Sequence, residues 1–150
     1  MKQIRIIFSR SNQIGSIFLQ WHQRCKYSHV EVIDDNNEII GARLSGVKYY
    51  DIKKLKSGDH IICTLEVTDV EYELFFGFLR DKIGDKYDWL AYLGFMFNSM
   101  SYEKKDKWFC SELIYKALQY AGVHLYQNLD SWKVMPRDLY IHKDIIKFQG

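Results

Sequence analysis

The dominant hydrophobic period of this chain changes after Val67, and that change constrains its fold more than any other feature. Up to Val67 apolar residues recur mostly at every second position; beyond it they recur at every third or fourth. Side chains alternate across a strand and return every 3.6 residues on a helix, so strands come first and helices second. Ile4 to Phe8 reads as the first strand, Ser9 to Ser16 as a turn, and Ile14, Ile17, Phe18 and Trp21 predict a short helix over 14–22. Ser28 to Ile33 is the next strand, with Val30 and Val32 on one face and His29, Glu31 and Ile33 on the other. Asp34-Asp35-Asn36-Asn37 is a polar turn, and Glu38 to Arg43 runs back as the second arm of a hairpin. Gly46 to Tyr50 is a short strand, and His60 to Val67 another, with Ile61, Cys63, Leu65 and Val67 alternating.

The second half predicts helices. Asp69 is the expected N-cap of a helix over 70–82, with Leu74, Phe75, Phe78 and Leu79 on one stripe. Tyr87 to Phe97 is a strongly apolar helical stretch, Ser99 to Lys107 a charged loop, and Cys110 to Ala121 a third helix closed by Gly122. Pro136 to Tyr140 suits a single helical turn and Ile145 to Phe148 a last strand. Strands followed by helices, with no repeat, predict one α+β domain over 1–150.

Composition narrows the function classes. Aromatics make up 16% of the 150 residues and there is one proline, so a packed core is expected rather than a disordered or Pro-rich chain. The formal charge of +2 gives no global argument for nucleic-acid binding. No apolar run reaches the roughly 18 residues that span a bilayer, and the N-terminal apolar run is too short for a signal peptide. Synthesis in the cytoplasm is the expectation; the sequence carries no sign of an oligomeric state. The three cysteines, Cys25, Cys63 and Cys110, fit neither a disulfide framework nor a zinc pattern, and His22, His60, His124 and His142 lack ligand spacing. No metal and no cofactor is therefore expected.

Cys110 differs from the other cysteines by its place. It opens a helix, where free N–H groups and a partial positive charge stabilise a thiolate and can hold an oxyanion. His29 opens a strand and has the chemistry to act as base towards that thiol. Cys25 and Cys63 have no such setting and read as packing residues. The bland alternatives are a buried core thiol and a strand histidine satisfied by its neighbours.

The flanking residues favour the chemical reading. Trp108-Phe109-Cys110-Ser111-Glu112-Leu113-Ile114, with Ala121-Gly122 behind it, resembles the cysteine helix of the NlpC/P60 superfamily. Histidine before cysteine matches its circularly permuted branch, the YiiX-like and lecithin:retinol acyltransferase-like group. Ser28-His29-Val30-Glu31 resembles the histidine strand, Gly41-Ala42-Arg43 with Gly46-Val47 the following hairpin arm, and Tyr87-Asp88-Trp89-Leu90 the tyrosine segment. Pro136-Arg137-Asp138-Leu139-Tyr140 is similar to a motif near the end of many members, and Ile7-Phe8-Ser9-Arg10-Ser11 to small phage-encoded ones.

The resemblance implies a papain-like fold, with an antiparallel sheet packed on helices and the cysteine at a helix N-terminus. It implies Cys110 as nucleophile, His29 as base, Tyr87 as a wall of the site that assists the oxyanion beside the Cys110 N–H, and a polar residue that orients the histidine. Many members place that residue about 12 positions after the histidine, just before an alanine. Gly41 stands there. Glu31, on the same strand face as His29, is the best substitute by chemistry; Ser45 and Glu38 are weaker ones. Same-face neighbours on a strand stand about 6.5–7 Å apart, so direct contact needs bending or a water. Glu112 fits a helix-start carboxylate, and Lys104, Lys105 and Lys107 a solvated face.

Three functions follow. The first is a cysteine hydrolase, an amidase or peptidase acting through a Cys110 thioester on cell-wall peptide or another acyl substrate, with no nucleic-acid partner. The second is a lipid acyl hydrolase or acyltransferase, with residues 87–97 as the candidate membrane-facing segment, although its run Leu90 to Phe97 is apolar nearly all round, which more often means buried core. The third is a non-enzymatic binding or inhibitory protein of phage type, its site decayed at Gly41.

Overall fold

The computed structural model describes residues 1–10, 20–21, 24–55, 58–87 and 107–147. In chain order its strands and helices are β1 (Lys2–Ser9), β2 (His29–Ile33), β3 (Glu38–Arg43), β4 (Gly46–Asp51), β5 (His60–Val67), α1 (Asp69–Asp81), β6 (Lys86–Tyr87), β7 (Lys107–Trp108), α2 (Cys110–Tyr120), α3 (Pro136–Ile141) and β8 (Ile146–Lys147). Six strands form one antiparallel sheet in the order β4-β3-β2-β1-β5-β8. This is the α+β arrangement that the change of period predicts.

The sheet buries both faces unequally. Ile4, Ile6, Phe8, Val30, Val32, Ile40, Ala42, Cys63, Leu65 and Val67 belong to the large core that includes α1 and α2. Ile7, Ile33 and Ile39 form a small second cluster with Tyr50, Ile52, Leu55 and Ile62 around it. The central strand β1 therefore has Ile6, Ile7 and Phe8 all buried, and its alternation is blurred. Each such side chain contributes roughly 1.5–3 kcal/mol by leaving water.

The helices differ from expectation in detail. Thr68, not Asp69, caps α1: Thr68 Oγ1 accepts from the Glu71 N–H at 3.2 Å and Glu71 returns by accepting from the Thr68 N–H at 2.7 Å. Asp69 lies in the first turn and pairs with the Met1 amino group at 3.2 Å. The buried stripe is Tyr72, Phe75, Phe76 and Leu79, and Leu74 and the expected Phe78 face away from it, Leu74 exposed and Phe78 only partly buried. Tyr87 belongs to a two-residue strand and does not open a helix; it pairs in parallel with Trp108. Of the stretch read as a helix over 87–97, residues 88–97 lie outside the described residues. So do most of the helix over 14–22, the loop from 99 to 106, His22 and Phe148. Lys107, expected in that loop, is strand.

Two local devices hold the β6–β7 corner against the sheet. Trp108 Nε1 donates to Asp85 Oδ2 at 2.8 Å, and the Val47 N–H donates to the Asp85 carbonyl at 2.8 Å. Gly46 makes that approach possible. Its φ of +103° suits glycine, and a Cβ there would lie 2.6 Å from the Asp85 carbonyl oxygen. The Pro136-Arg137-Asp138-Leu139-Tyr140 segment is structural by its contacts. Pro136 starts α3, Asp138 accepts from the Met135 N–H at 2.8 Å, and the Tyr140 ring packs on Phe8 and Tyr27 at 5.3 and 4.9 Å.

Candidate active site

Cys110 is the first residue of α2, as its sequence setting predicts. The turn before it is fixed by Glu112, whose carboxylate accepts from the Phe109 N–H at 3.4 Å, and by Ser111, whose hydroxyl donates to the Val134 carbonyl. Leu113, Ile114, Ala117 and Leu118 anchor the helix in the large core. Cys110 is itself enclosed, with 1% of its surface exposed.

His29 opens β2 and its side chain is 20% exposed. Its Nε2 lies 3.1 Å from Glu31 Oε1. The approach is an ion-pair contact and not an aligned hydrogen bond, for among the described residues Nε2 has no hydrogen-bond partner. The Cys110 thiol is near enough to the imidazole for its charge to act on it. Burial pulls the imidazole pKa down, but the negative charge of Glu31 first, and then that of Cys110, outweighs it, and the pKa is raised to about 10.

The gap expected between same-face neighbours on a strand is therefore closed by the side chains themselves. The β2–β3 pairing runs Ile33 to Ile39 and Val32 to Ile40. One step further along the same register sets Glu31 opposite Gly41. With no side chain there, the Glu31 carboxylate has room to lie across β3: a Cβ on Gly41 would be 2.6 Å from Glu31 Cγ and 2.7 Å from Oε1.

Arg43, on the same arm of the hairpin, completes the arrangement. Its Nε donates to Glu31 Oε1 at 2.7 Å and its Nη2 to Oε2 at 2.8 Å. The guanidinium lies over the Tyr50 ring, with Cζ 3.8 Å from the centroid, and the side chain is 37% exposed. Glu31 is 1% exposed. Burial pushes its carboxyl up, yet His29 first and Arg43 second outweigh it and hold the pKa down at about 2. Sequence reading placed Arg43 only in the hairpin arm. The signal for its role was the hairpin symmetry, which sets residue 43 across from residue 29 and diagonal to Glu31.

The remaining expected residues separate clearly. Tyr87 reaches the neighbourhood of Cys110 through the β6–β7 pair, and its ring stands 6.2 Å from that of Phe109. Ser45 is turned to Tyr50, with 3.0 Å between hydroxyls, and Glu38 is exposed. Cys63 is buried in the core, where burial pushes its thiol up, and Cys25 is partly buried. His142 Nε2 is 2.7 Å from the Leu125 carbonyl, a structural contact.

No family model matches the chain, and no curated protein matches it in sequence. Among solved structures, that of the metalloprotein yiiX from Escherichia coli O157:H7 superimposes with a TM-score of 0.77 over 99% of this chain and 97% of the other. The chain has the YiiX fold. The two sequences are 16% identical, so the likeness to YiiX is one of architecture. The YiiX-like arrangement is what the histidine-strand and cysteine-helix resemblances imply. Among the described residues, no helix is long and apolar enough to cross a membrane.

Proposed function

We propose that the chain is a cysteine hydrolase, cleaving an amide or related acyl bond through a thioester on Cys110. The observation that carries this reading is the contact of His29 with Glu31 beside a cysteine at a helix start. In the proposed reaction His29, which its raised pKa keeps protonated at neutral pH, holds the proton given up by the Cys110 thiol, and the sulfur attacks the substrate carbonyl. The tetrahedral oxyanion is received by the Cys110 N–H at the helix start, with Tyr87 as the wall of the site. Collapse expels the amine, which leaves with the proton from His29. Water then attacks the thioester, giving up a proton to His29, and collapse releases the carboxylic acid and returns the Cys110 sulfur beside the protonated His29. Glu31 holds the imidazole in orientation throughout. Cell-wall peptide is the substrate class to test first.

The solved neighbour is called a metalloprotein. The described residues here do not fit a metal: no group of three or more His, Cys, Asp or Glu side chains is placed to hold one. Both oxygens of Glu31 already accept from Arg43. No step is routed through a metal.

One observation favours the binding-protein reading: Cys110 is 1% exposed. Iodoacetamide labelling at neutral pH separates the two. The hydrolase reading expects Cys110 to label faster than Cys63 and Cys25. Hydrolysis of peptide, amide and ester panels is expected from the wild type and lost in Cys110→Ala. Full activity in that variant would overturn the proposal.

A further inference from the structure

We infer that Arg43 is a positioning residue, whose two-pronged grip on Glu31 holds that carboxylate against His29. The inference rests on the His29–Cys110 reading and adds a member that acts only through Glu31.

The geometry gives the reason. A carboxylate with 1% of its side chain exposed cannot remain charged without partners. His29 supplies one contact, to Oε1, and that contact is not aligned as a hydrogen bond. Arg43 supplies two aligned ones, to both oxygens, in the planar fork that matches a carboxylate. Two parallel bonds fix the carboxylate plane as well as its position; a single bond fixes neither. The guanidinium is in turn held from the far side by the Tyr50 ring. Gly41 leaves the space in which the carboxylate lies. The chain of contacts thus runs Tyr50, Arg43, Glu31, His29, Cys110, across β4, β3, β2 and α2. By register Lys48 on β4 stands opposite Gly41 in the cross-strand row of Glu31, and His60 on β5 stands beyond Ser9 in the row of His29; the groups that act most on His29, Glu31 and Arg43 are one another, with Cys110 and Tyr50.

The sign of one shift tests this. Without Arg43, the buried carboxylate loses its fork and takes up a proton or turns towards water. Either way less negative charge faces the imidazole, and the His29 midpoint falls. A merely neighbouring cation would do the opposite, because removing a positive charge near an imidazolium raises its midpoint.

The experiment is an NMR titration of the His29 ring in the whole chain, its signal assigned by its loss in His29→Gln. Arg43→Met is expected to lower the midpoint by roughly one unit or more. In a Glu31→Gln background, Arg43→Met is expected to produce no fall below the midpoint that Glu31→Gln alone gives. Arg43→Lys keeps the charge without the fork, and a smaller fall is expected; it carries the test if Arg43→Met does not fold. No shift, an upward shift, or an equal shift in the Glu31→Gln background overturns the inference. The titration is read without any substrate. A protein that hydrolyses nothing still reports whether Arg43 acts through Glu31, and a flat His29 response removes Arg43 while leaving the Cys110 nucleophile standing.

Discussion

Glu31 and Gly41 share one volume: a Cβ on Gly41 would lie 2.6 Å from Cγ of Glu31. A side chain at either position requires its absence at the other. The position where the family-like pattern expects a polar residue is bare because its neighbour on the adjacent strand reaches into that space. The missing group on β3 and the acidic group on β2 are thus two sides of one packing solution.

Gly41→Ala is the direct check of this shared space. Glu31 is held by Arg43 and His29 and cannot move aside freely, so the added methyl is expected to cost about 1–3 kcal/mol in urea unfolding. In a Glu31→Ala background the cost is expected to vanish. Equal costs in the two backgrounds would show that the volume is not shared.

Moving the carboxylate tests the exchange more strongly. Glu31→Gly alone is expected to lower the His29 midpoint towards that of an ordinary histidine. Adding Gly41→Glu returns a carboxylate to the same space from the other strand, and part of the lost shift is expected to return. A double variant that titrates like the single one would mean that only β2 can carry the group.

The pH dependence of stability follows from both members of the pair. His29 is raised from 6.5 to about 10, so its contribution is complete below pH 6.5 and is lost as pH climbs towards 10. Glu31 is lowered from 4.5 to about 2, so its contribution is complete above pH 4.5 and is lost as pH falls towards 2. For this pair the highest stability is expected between those two ordinary values. Urea midpoints measured across the range check this. Cys110→Ala removes one of the influences that raise His29, and is expected to weaken the loss on the alkaline side.

Glu112 provides a contrast. Its carboxylate serves the backbone at the start of α2, so Glu112→Ala is expected to cost about 0.5–1 kcal/mol. The His29 midpoint is expected to stay unchanged. A shift of that midpoint would place Glu112 in the site.

Much of this arrangement was legible in the residues. Alternation through His29-Val30-Glu31-Val32 put the histidine and the acid on one face, and the apolar stripe of α2 put Cys110 at its first turn. The helix cap failed because Thr68 and Asp69 are both good caps, and only the reciprocal bond with Glu71 decides between them. Tyr87 was misplaced because a two-residue strand has no period to read. Arg43 was passed over because its value depends on register: twelve residues separate it from Glu31, and only the paired hairpin brings them to 2.7 Å.

The Glu31–Arg43 pair also bears on how the chain finds its register. A slip of one residue between two strands turns every side chain of one of them to the opposite face. Such a slip in this hairpin would carry Arg43 away and leave Glu31 enclosed without its fork, a loss of about 3–5 kcal/mol for a buried pair broken on one side. Mispaired chains are therefore penalised at the residues that arrange the histidine. Correct assembly of the hairpin and completion of the charged cluster become a single event in folding.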